Sequence, residues 1–306
     1  MPELPEVETI RRRLAARVEG RVFSRVEVSD PRWTRPLAPA EMERALTGRR
    51  VERLGRRGKY LVWELDGELF LIQHLRMTGA ILHDPPAEPA HARVRIDLDD
   101  GHRLVYDDPR RFGTGELARG SAARDIFFAA RLGPEPFDAA FTPDFMRTIG
   151  RTSRAPVKAF LLDQRRVAGV GNIYADEALF RAGVHPLREA RRLSRAQWEA
   201  VHGAVVDALR AGIAADGASI DDYRDPDGVR GSFQNEFLVH RRAGEPCPRC
   251  GTTVRKLTAA GRGTYVCERC QPRPRGRASA ARKGPSRTRL DRIGGQGNQF
   301  GPTNGE

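Results

Sequence analysis

Lysine is almost missing from this chain: Lys59, Lys158, Lys256 and Lys283 are the only four among 53 basic residues, and the rest are arginine. Bulk attraction of anions can therefore rest on arginine, which stays protonated at any workable pH. A lysine can be tuned by burial and neighbours to move a proton near neutrality. That singles out Lys59 and Lys158, although a GC-rich coding bias against lysine would leave the same four survivors. Cysteine is as scarce, four in 306 residues, which excludes a disulfide-dense scaffold. No run approaches the roughly 18 consecutive apolar residues of a membrane span. The chain opens on Glu3, Glu6 and Glu8 where a leader would carry an apolar stretch. A soluble, unexported, cytoplasmic protein without a membrane partner is expected. No internal repeat is visible.

What is present bounds the answer further. A 306-residue chain that is 39% hydrophobic can bury more than one core, which excludes wholesale disorder. The formal charge of +13 suits a polyanionic partner, nucleic acid first, but ribosomal and membrane-surface proteins share that property. Pro5 stands at a first-turn position ahead of Val7, Ile10, Leu14 and Val18, which share one helical face. Strand-like runs follow at 60–65 and 69–75 across the Asp66-Gly67 turn, and at 94–98 and 104–106 across Asp100-Gly101. Past Pro134 and Pro136 the period changes. Trp198, Val201, Val205, Leu209 and Ile213 describe a long amphipathic helix behind a Ser194 cap. The fold class is α+β: an N-terminal helix plus antiparallel β-sandwich over 1–133, a helical domain over 134–238, a cysteine module over 239–271, and a tail over 272–306. The tail holds eight cations against Asp291 and Glu306 with hardly an apolar residue, and is expected to be disordered.

The cysteines fall in one pattern, Cys247-Pro-Arg-Cys250, sixteen residues, then Cys267-Glu-Arg-Cys270. Two thiolate pairs on tight turns at the ends of a hairpin offer a closed tetrahedral site, and zinc needs nothing beyond four such ligands. Two disulfides are the competing reading, and an unexported chain otherwise avoiding cysteine favours zinc. With no open fifth position, one Zn2+ is expected to be structural, stiffening a hairpin tip that carries Arg262 between two glycines. Arg262 facing a ligand and Arg262 in a solvated turn are equally compatible with the composition.

The first residues, Met1-Pro2-Glu3-Leu4-Pro5-Glu6-Val7-Glu8-Thr9, carry a second pattern. If Met1 is removed, Pro2 becomes a free secondary amine, and an α-amino group titrates near pH 8, leaving an appreciable nucleophilic fraction at neutrality. A secondary amine that condenses with a sugar C1′ gives a cationic iminium. That electron sink acidifies the C2′ hydrogen and favours strand cleavage by elimination, while a carboxylate such as Glu3 could protonate the opening ring oxygen. Ordinary helix punctuation would explain the same residues.

Further along stand Gly58-Lys59-Tyr60, Gln73-His74-Leu75-Arg76-Met77-Thr78-Gly79, Asp108-Pro109-Arg110-Arg111-Phe112-Gly113, Leu161-Leu162-Asp163-Gln164, the run from Val167 to Glu177, and Ala260-Gly261-Arg262-Gly263-Thr264. With the N-terminal motif, this ordered set resembles the bacterial formamidopyrimidine-DNA glycosylases, which excise 8-oxoguanine and act as AP lyases. The likeness covers about residues 2–271. It implies a helix-two-turns-helix in the helical domain and a zinc-bound β-hairpin after it. It also implies Pro2 as Schiff-base nucleophile, Glu3 as general acid, Lys59 as proton donor of β-elimination, and Arg262 as that of δ-elimination through a phosphate contact. Lys158 would hold a phosphate near the lesion, Glu6 would help position the flipped sugar, and Asn172 with nearby backbone N–H groups would grip the lesion phosphate. His74, His91, Arg151 and Arg154 are further candidates for DNA contact on less distinctive spacing.

Met77, Arg110 and Phe112 correspond to the family's void-filling residues. A thioether and a flat ring can wedge between base steps, and a guanidinium can bond an orphaned base. Either apolar residue alone would equally suit a core. The stretch from Gly217 to Tyr223 and on to Gln234 corresponds to a loop that caps oxidised purines, with Ala218 and Ser219 where the family carries threonines. The resemblance implies a bifunctional enzyme of base excision repair, acting on damaged double-stranded DNA and nucleoid-associated through it, excising oxidised purines and cleaving by β,δ-elimination; a monomer is expected because one-lesion chemistry requires no second subunit. An endonuclease VIII-like preference for oxidised pyrimidines and a non-catalytic zinc-dependent damage binder are the alternatives. The basic tail would add salt-sensitive affinity.

Overall fold

The computed structural model describes residues 1–220 and 223–274; the tail beyond residue 274, and with it the expected disorder, lies outside the described residues. The first helix, α1, spans Leu4–Val18. Pro5 sits in its opening turn, and the Glu6 carboxylate accepts the Glu3 N–H at 2.7 Å, the capping-box arrangement. Val7, Ile10, Leu14 and Val18 are fully buried, as their spacing predicts.

Two four-stranded antiparallel sheets follow. One runs β1 (Phe23–Val28), β6 (Ala92–Leu98), β7 (Arg103–Asp107), β5 (Ala80–His83); the other runs β2 (Val51–Arg57), β3 (Tyr60–Leu65), β4 (Leu69–His74), β8 (Thr114–Arg119). Their inner faces share a core that includes Phe23, Val26, Leu54, Trp63, Leu71, Val94 and Leu104. Strand β6 alternates buried and half-buried, the pattern of a strand with one face on a core. Strand β4 is buried at every position because its other face is covered too, by Phe128 of α3 (Ser121–Ala129) packing on Phe70 and Ile72. Helix α2 (Pro39–Leu46) closes the sandwich edge through Met42 and Leu46.

The helical half comprises α4 (Pro143–Gly150), α5 (Val157–Leu162), α6 (Asn172–Arg181) and α7 (Arg195–Ala214). Ser194 caps α7, with its hydroxyl accepting the Gln197 N–H and Gln197 returning to Ser194. Trp198, Val201, Val205 and Leu209 are buried, and Ile213 at the end of that face is only partly covered. The cysteine module contributes the hairpin β9 (Arg255–Ala259) and β10 (Arg262–Val266), turning at Ala260-Gly261. Residues 1–274 form one compact unit. Helix α1 joins its two cores: Leu4 packs in the helical one, and Val7, Ile10, Leu14 and Val18 pack in the sandwich. Residues 2 and 3 therefore stand at the seam. Among the described residues no helix is long and apolar enough to cross a membrane.

Candidate active site

At that seam the loop from Asp163 to Gly171 runs against the start of α1. Gln164 shapes it, accepting the Gly169 N–H at 2.9 Å and donating to the Val170 carbonyl at 2.8 Å. Gly169 adopts φ +90°, and a Cβ there would stand 2.5 Å from Leu4 Cδ1. Glycine is thus required by both backbone and space. Two residues on, a Cβ at Gly171 would lie 2.2 Å from the carboxyl carbon of Glu3. The bare backbone lets the Glu3 side chain, 2% exposed, reach the first turn of α6. There it accepts the Ile173 N–H at 3.0 Å and the Tyr174 N–H at 3.5 Å. A carboxylate on the positive end of a helix is held in place by both charge and hydrogen bonds.

Glu6 is buried behind it. Its oxygens accept from the Glu3 N–H, the Tyr174 hydroxyl at 2.8 Å and the Ala218 N–H at 2.8 Å. Burial, with the Glu3 charge adding to it, pushes its carboxyl above the usual range. Lys59 sits in the turn between β2 and β3 and is 5% exposed. Burial pulls its ammonium below the usual lysine range; Glu3 opposes this and Arg262 reinforces it. A lysine with a lowered pKa beside a fixed carboxylate is suited to proton transfer. Pro2 is buried, while Met1 is exposed at the mouth of a cavity of about 200 Å³. Glu3, Met77, Arg110, Asn172, Tyr223 and Arg262 contribute to its walls.

The two loops that carry Met77 and Phe112 are turns with strained tips. Arg76 and Arg111 adopt φ +56° and +57°, in the left-handed region that non-glycine residues avoid. Asp108 holds both turns: it accepts Thr78 Oγ1 at 2.5 Å, the Phe112 and Gly113 N–H groups at 2.9 Å each, and the Tyr106 hydroxyl at 3.1 Å. Met77 and Phe112 are 43% and 48% exposed, so neither is a core residue, and the Arg110 guanidinium lies 4.7 Å over the Phe112 ring. Apolar side chains this exposed on such turns are available to something outside the chain.

In the cysteine module the Cys250 and Cys267 sulfurs are 3.5 Å apart, and those of Cys247 and Cys270 are 3.9 Å apart. Zinc–thiolate bonds of about 2.3 Å in a tetrahedron imply sulfur separations of about 3.8 Å. All four ligand atoms lie within 4.8 Å of one another, so the set suits one structural zinc.

Comparisons with known proteins match this geometry along the chain. The family model for the formamidopyrimidine-DNA glycosylase N-terminal domain matches residues 1–115, the model for the H2TH domain of that enzyme matches 132–224, and a zinc finger found in FPG and IleRS matches 244–273. The formamidopyrimidine-DNA glycosylase of Chloroflexus aurantiacus is 44% identical over 277 residues, covering 89% of this chain and 98% of that one. The chain belongs to the formamidopyrimidine-DNA glycosylase family. The Thermus thermophilus enzyme has 44% identity in sequence comparison, covering 89% of this chain and 98% of its own. Its crystal structure superposes with a TM-score of 0.80 over 88% of this chain and 98% of that chain, at 42% identity. A variant of the Lactococcus lactis enzyme, solved with a Fapy-dG-containing DNA, superposes with a TM-score of 0.83 at 37% identity, covering 89% of this chain and all of that one.

Within that family frame the predicted residues fall into two groups. Glu3, Lys59 and Arg262 form one electrostatic cluster, with Glu6 behind it and Asn172, Met77 and Arg110 on the cavity wall. The second group is placed differently. Lys158, expected on a phosphate, is fully buried; its ammonium donates to Asp176 at 2.7 Å, Thr264 Oγ1 at 2.8 Å and the Gly263 carbonyl at 3.2 Å. It fastens the zinc hairpin to α6, and Asn172 adds a bond to the same Gly263 carbonyl at 3.1 Å. His74 is buried against the Tyr60 ring, and its Nδ1 accepts the Arg76 N–H at 2.9 Å. His91, Arg151 and Arg154 are exposed and do not line the cavity.

Sequence reasoning missed the support behind Lys59. Arg56 donates to both oxygens of Glu135 at 2.8 Å, to Glu8 at 3.0 Å and to the Gly58 carbonyl at 3.0 Å, while Glu135 also accepts the Gly58 N–H. Glu8 is held down to about 2 despite its burial, through Arg11, Arg12 and Arg56. Only the unusual number of arginines beside Lys59 hinted at this in the sequence.

Proposed function

We propose that this chain is a bifunctional DNA glycosylase and AP lyase that removes oxidised purines, 8-oxoguanine and formamidopyrimidines, from duplex DNA and then cleaves the strand by β,δ-elimination. It would act as a monomer in the cytoplasm, with residues 1–133 carrying most of the chemistry, 134–238 and 239–271 holding DNA, 239–271 also supplying Arg262, and 272–306 adding charge. The observation that carries the reading is the buried Glu3 carboxylate, pinned to α6 one residue from Pro2, within electrostatic reach of Lys59 and on the wall of the cavity that Arg262 shares.

After loss of Met1, the Pro2 nitrogen lone pair attacks C1′ and the glycosidic bond pair leaves on the base. The Glu3 carboxylate takes the Pro2 N–H proton and delivers it to the ring oxygen as the C1′–O4′ bond opens, leaving an iminium between Pro2 and C1′, while water protonates the departed base. Loss of a C2′ proton to water feeds electrons toward that iminium, and the C3′–O bond breaks with its pair on the 3′ phosphate. Lys59 supplies the proton of this step. Loss of the C4′ proton to water then drives out the second phosphate, held by Arg262, which leaves with the C5′–O pair, and water hydrolyses the iminium to free Pro2 from the unsaturated sugar fragment. Zinc supplies a cross-link that sets the hairpin and takes no part in bond-making. Met77, Arg110 and Phe112 would fill the space left by the extruded base, which costs a few kcal/mol to unstack.

Borohydride trapping on a duplex with 8-oxoguanine opposite cytosine, followed by mass spectrometry, tests this directly. A crosslink on Pro2 of a chain lacking Met1 is expected. A crosslink only with an oxidised pyrimidine such as thymine glycol would move the substrate class. The Lactococcus lactis enzyme has been solved with an oxidised pyrimidine-containing DNA, so that arm belongs in the experiment. Binding of lesion duplex without any crosslink would make the protein a damage binder.

A further inference from the structure

The segment after α7 leaves the helical core and returns almost where it left. A Cβ on Gly231 would stand 2.3 Å from the Gly217 carbonyl oxygen, which also accepts the Phe233 N–H at 3.0 Å. Ser219 staples the inside, its hydroxyl donating to the Tyr223 carbonyl at 2.9 Å and accepting the Gly231 N–H at 3.0 Å. Farther out, Asp225 organises a turn by accepting the N–H groups of Asp227 at 2.9 Å and Val229 at 2.8 Å. Ile220 and Tyr223 of this segment line the cavity that Glu3 and Arg262 share.

The outer side of the segment is fastened to α1 by charge. Arg13 contacts Asp225 at 2.7 Å, Asp216 at 2.9 Å and Asp227 at 3.6 Å. Arg17, one helical turn on, takes both oxygens of Asp227 at 2.6 and 3.1 Å. The Asp225 side chain is 3% exposed and the two arginines are about a third exposed, so the centre of the network is shielded and its rim is wet. Isolated surface pairs contribute little, whereas a network around a buried carboxylate holds geometry. Without the arginines, three carboxylates would face one another, and α1 is the helix that Pro2 and Glu3 lead into.

We propose that Arg13 and Arg17 are positioning residues for substrate choice: they hold the stretches 216–220 and 223–231 over the cavity so that an extruded base is covered. An abasic sugar has no base to cover and does not need them. This deepens the glycosylase and lyase reading above and rests on it.

The test uses the full zinc-loaded chain in single-turnover assays on two duplexes, one with 8-oxoguanine opposite cytosine and one with a preformed abasic site. Arg13→Ala and Arg17→Ala are each expected to slow base release about tenfold, a loss of positioning. Cleavage at the abasic site should stay within about twofold of the unaltered chain. Exchanging the charges, Arg17→Asp together with Asp227→Arg, should restore most of the base release that Arg17→Ala loses, and this pair decides the matter if a single variant folds poorly. Equal losses on both duplexes, no loss on either, or no recovery in the exchanged pair would overturn the proposal. An unaltered chain inert on both duplexes would overturn the glycosylase and lyase reading, and this proposal with it.

Discussion

Gly171→Ala is the smallest change that should disable base release without touching a reacting group. The added methyl would sit 2.2 Å from the Glu3 carboxyl carbon and 2.4 and 2.5 Å from its oxygens, closer than real carbon atoms approach. The backbone of Gly171 is extended, with φ −126°, so the effect is purely steric. Overpacking of this kind costs about 1–3 kcal/mol. Pulling a carboxylate off the Ile173 N–H forfeits a charge-assisted hydrogen bond of about 1.5–3 kcal/mol. A destabilisation of about 3–5 kcal/mol follows, or a fall in Tm of about 10 °C for a domain of this size. Displacing a catalytic group by about 1 Å lowers turnover about a hundredfold. Gly203→Ala, in mid-α7 with no atom within 4 Å of the added carbon, is the matched control and should raise stability by about 0.5–1 kcal/mol. Calorimetry and single-turnover excision measure both. Gly171→Ala that melts and turns over like the unaltered chain would show that Glu3 does not occupy the first turn of α6.

Other perturbations are as specific. Arg56→Met leaves Glu8 and Glu135 facing each other without their shared cation and should cost about 3–5 kcal/mol in denaturant unfolding, with strand cleavage, on the proposed lyase reading, falling as the Lys59 turn loosens. His74 is held down to about 3 by burial, with Arg76 and Lys59 adding to it, against about 6.5 unfolded. Its effect is nil above pH 6.5, and stability is lost as pH falls from there toward 3, at up to about 1.4 kcal/mol per unit. His74→Gln should flatten the stability profile between pH 6 and 4, and an unchanged slope would place the proton elsewhere. Cys267→Ser should release the zinc, measured by metal analysis, and weaken lesion-duplex binding, because Lys158 and Asn172 lose the ordered Gly263–Thr264 strand they hold.

Much of this was legible in the residues themselves. Strand β3 and the long helix behind Ser194 fall where period and turn chemistry put them, because local burial pattern and local hydrogen bonding agree there. The four cysteines were readable because two short turns already bring each pair of sulfurs together. Strand β5 is only four residues long and β8 carries a glycine, so neither gives enough alternation to be recognised. The partners of Lys158 come from positions 18 and more than 100 residues away, and those of Arg56 from 48 and 79 residues away, which no spacing rule reaches. Lys158 stood out as a rare lysine, but whether such a residue faces phosphate or an internal carboxylate is decided by tertiary packing. Gly171 was visible only as a letter in a motif. The constraint that makes it glycine is a side chain 168 positions earlier.

Helix α1 belongs to two cores at once, Leu4 to one and Val7 through Val18 to the other. If the sandwich and the helical half swing toward or away from each other around a substrate, the shared helix is the axis of that motion. Points on an axis move least. The walls carrying Met77 and Arg262 would then travel while residue 2, just ahead of α1, stayed almost stationary, and a group held there would not have to be found again.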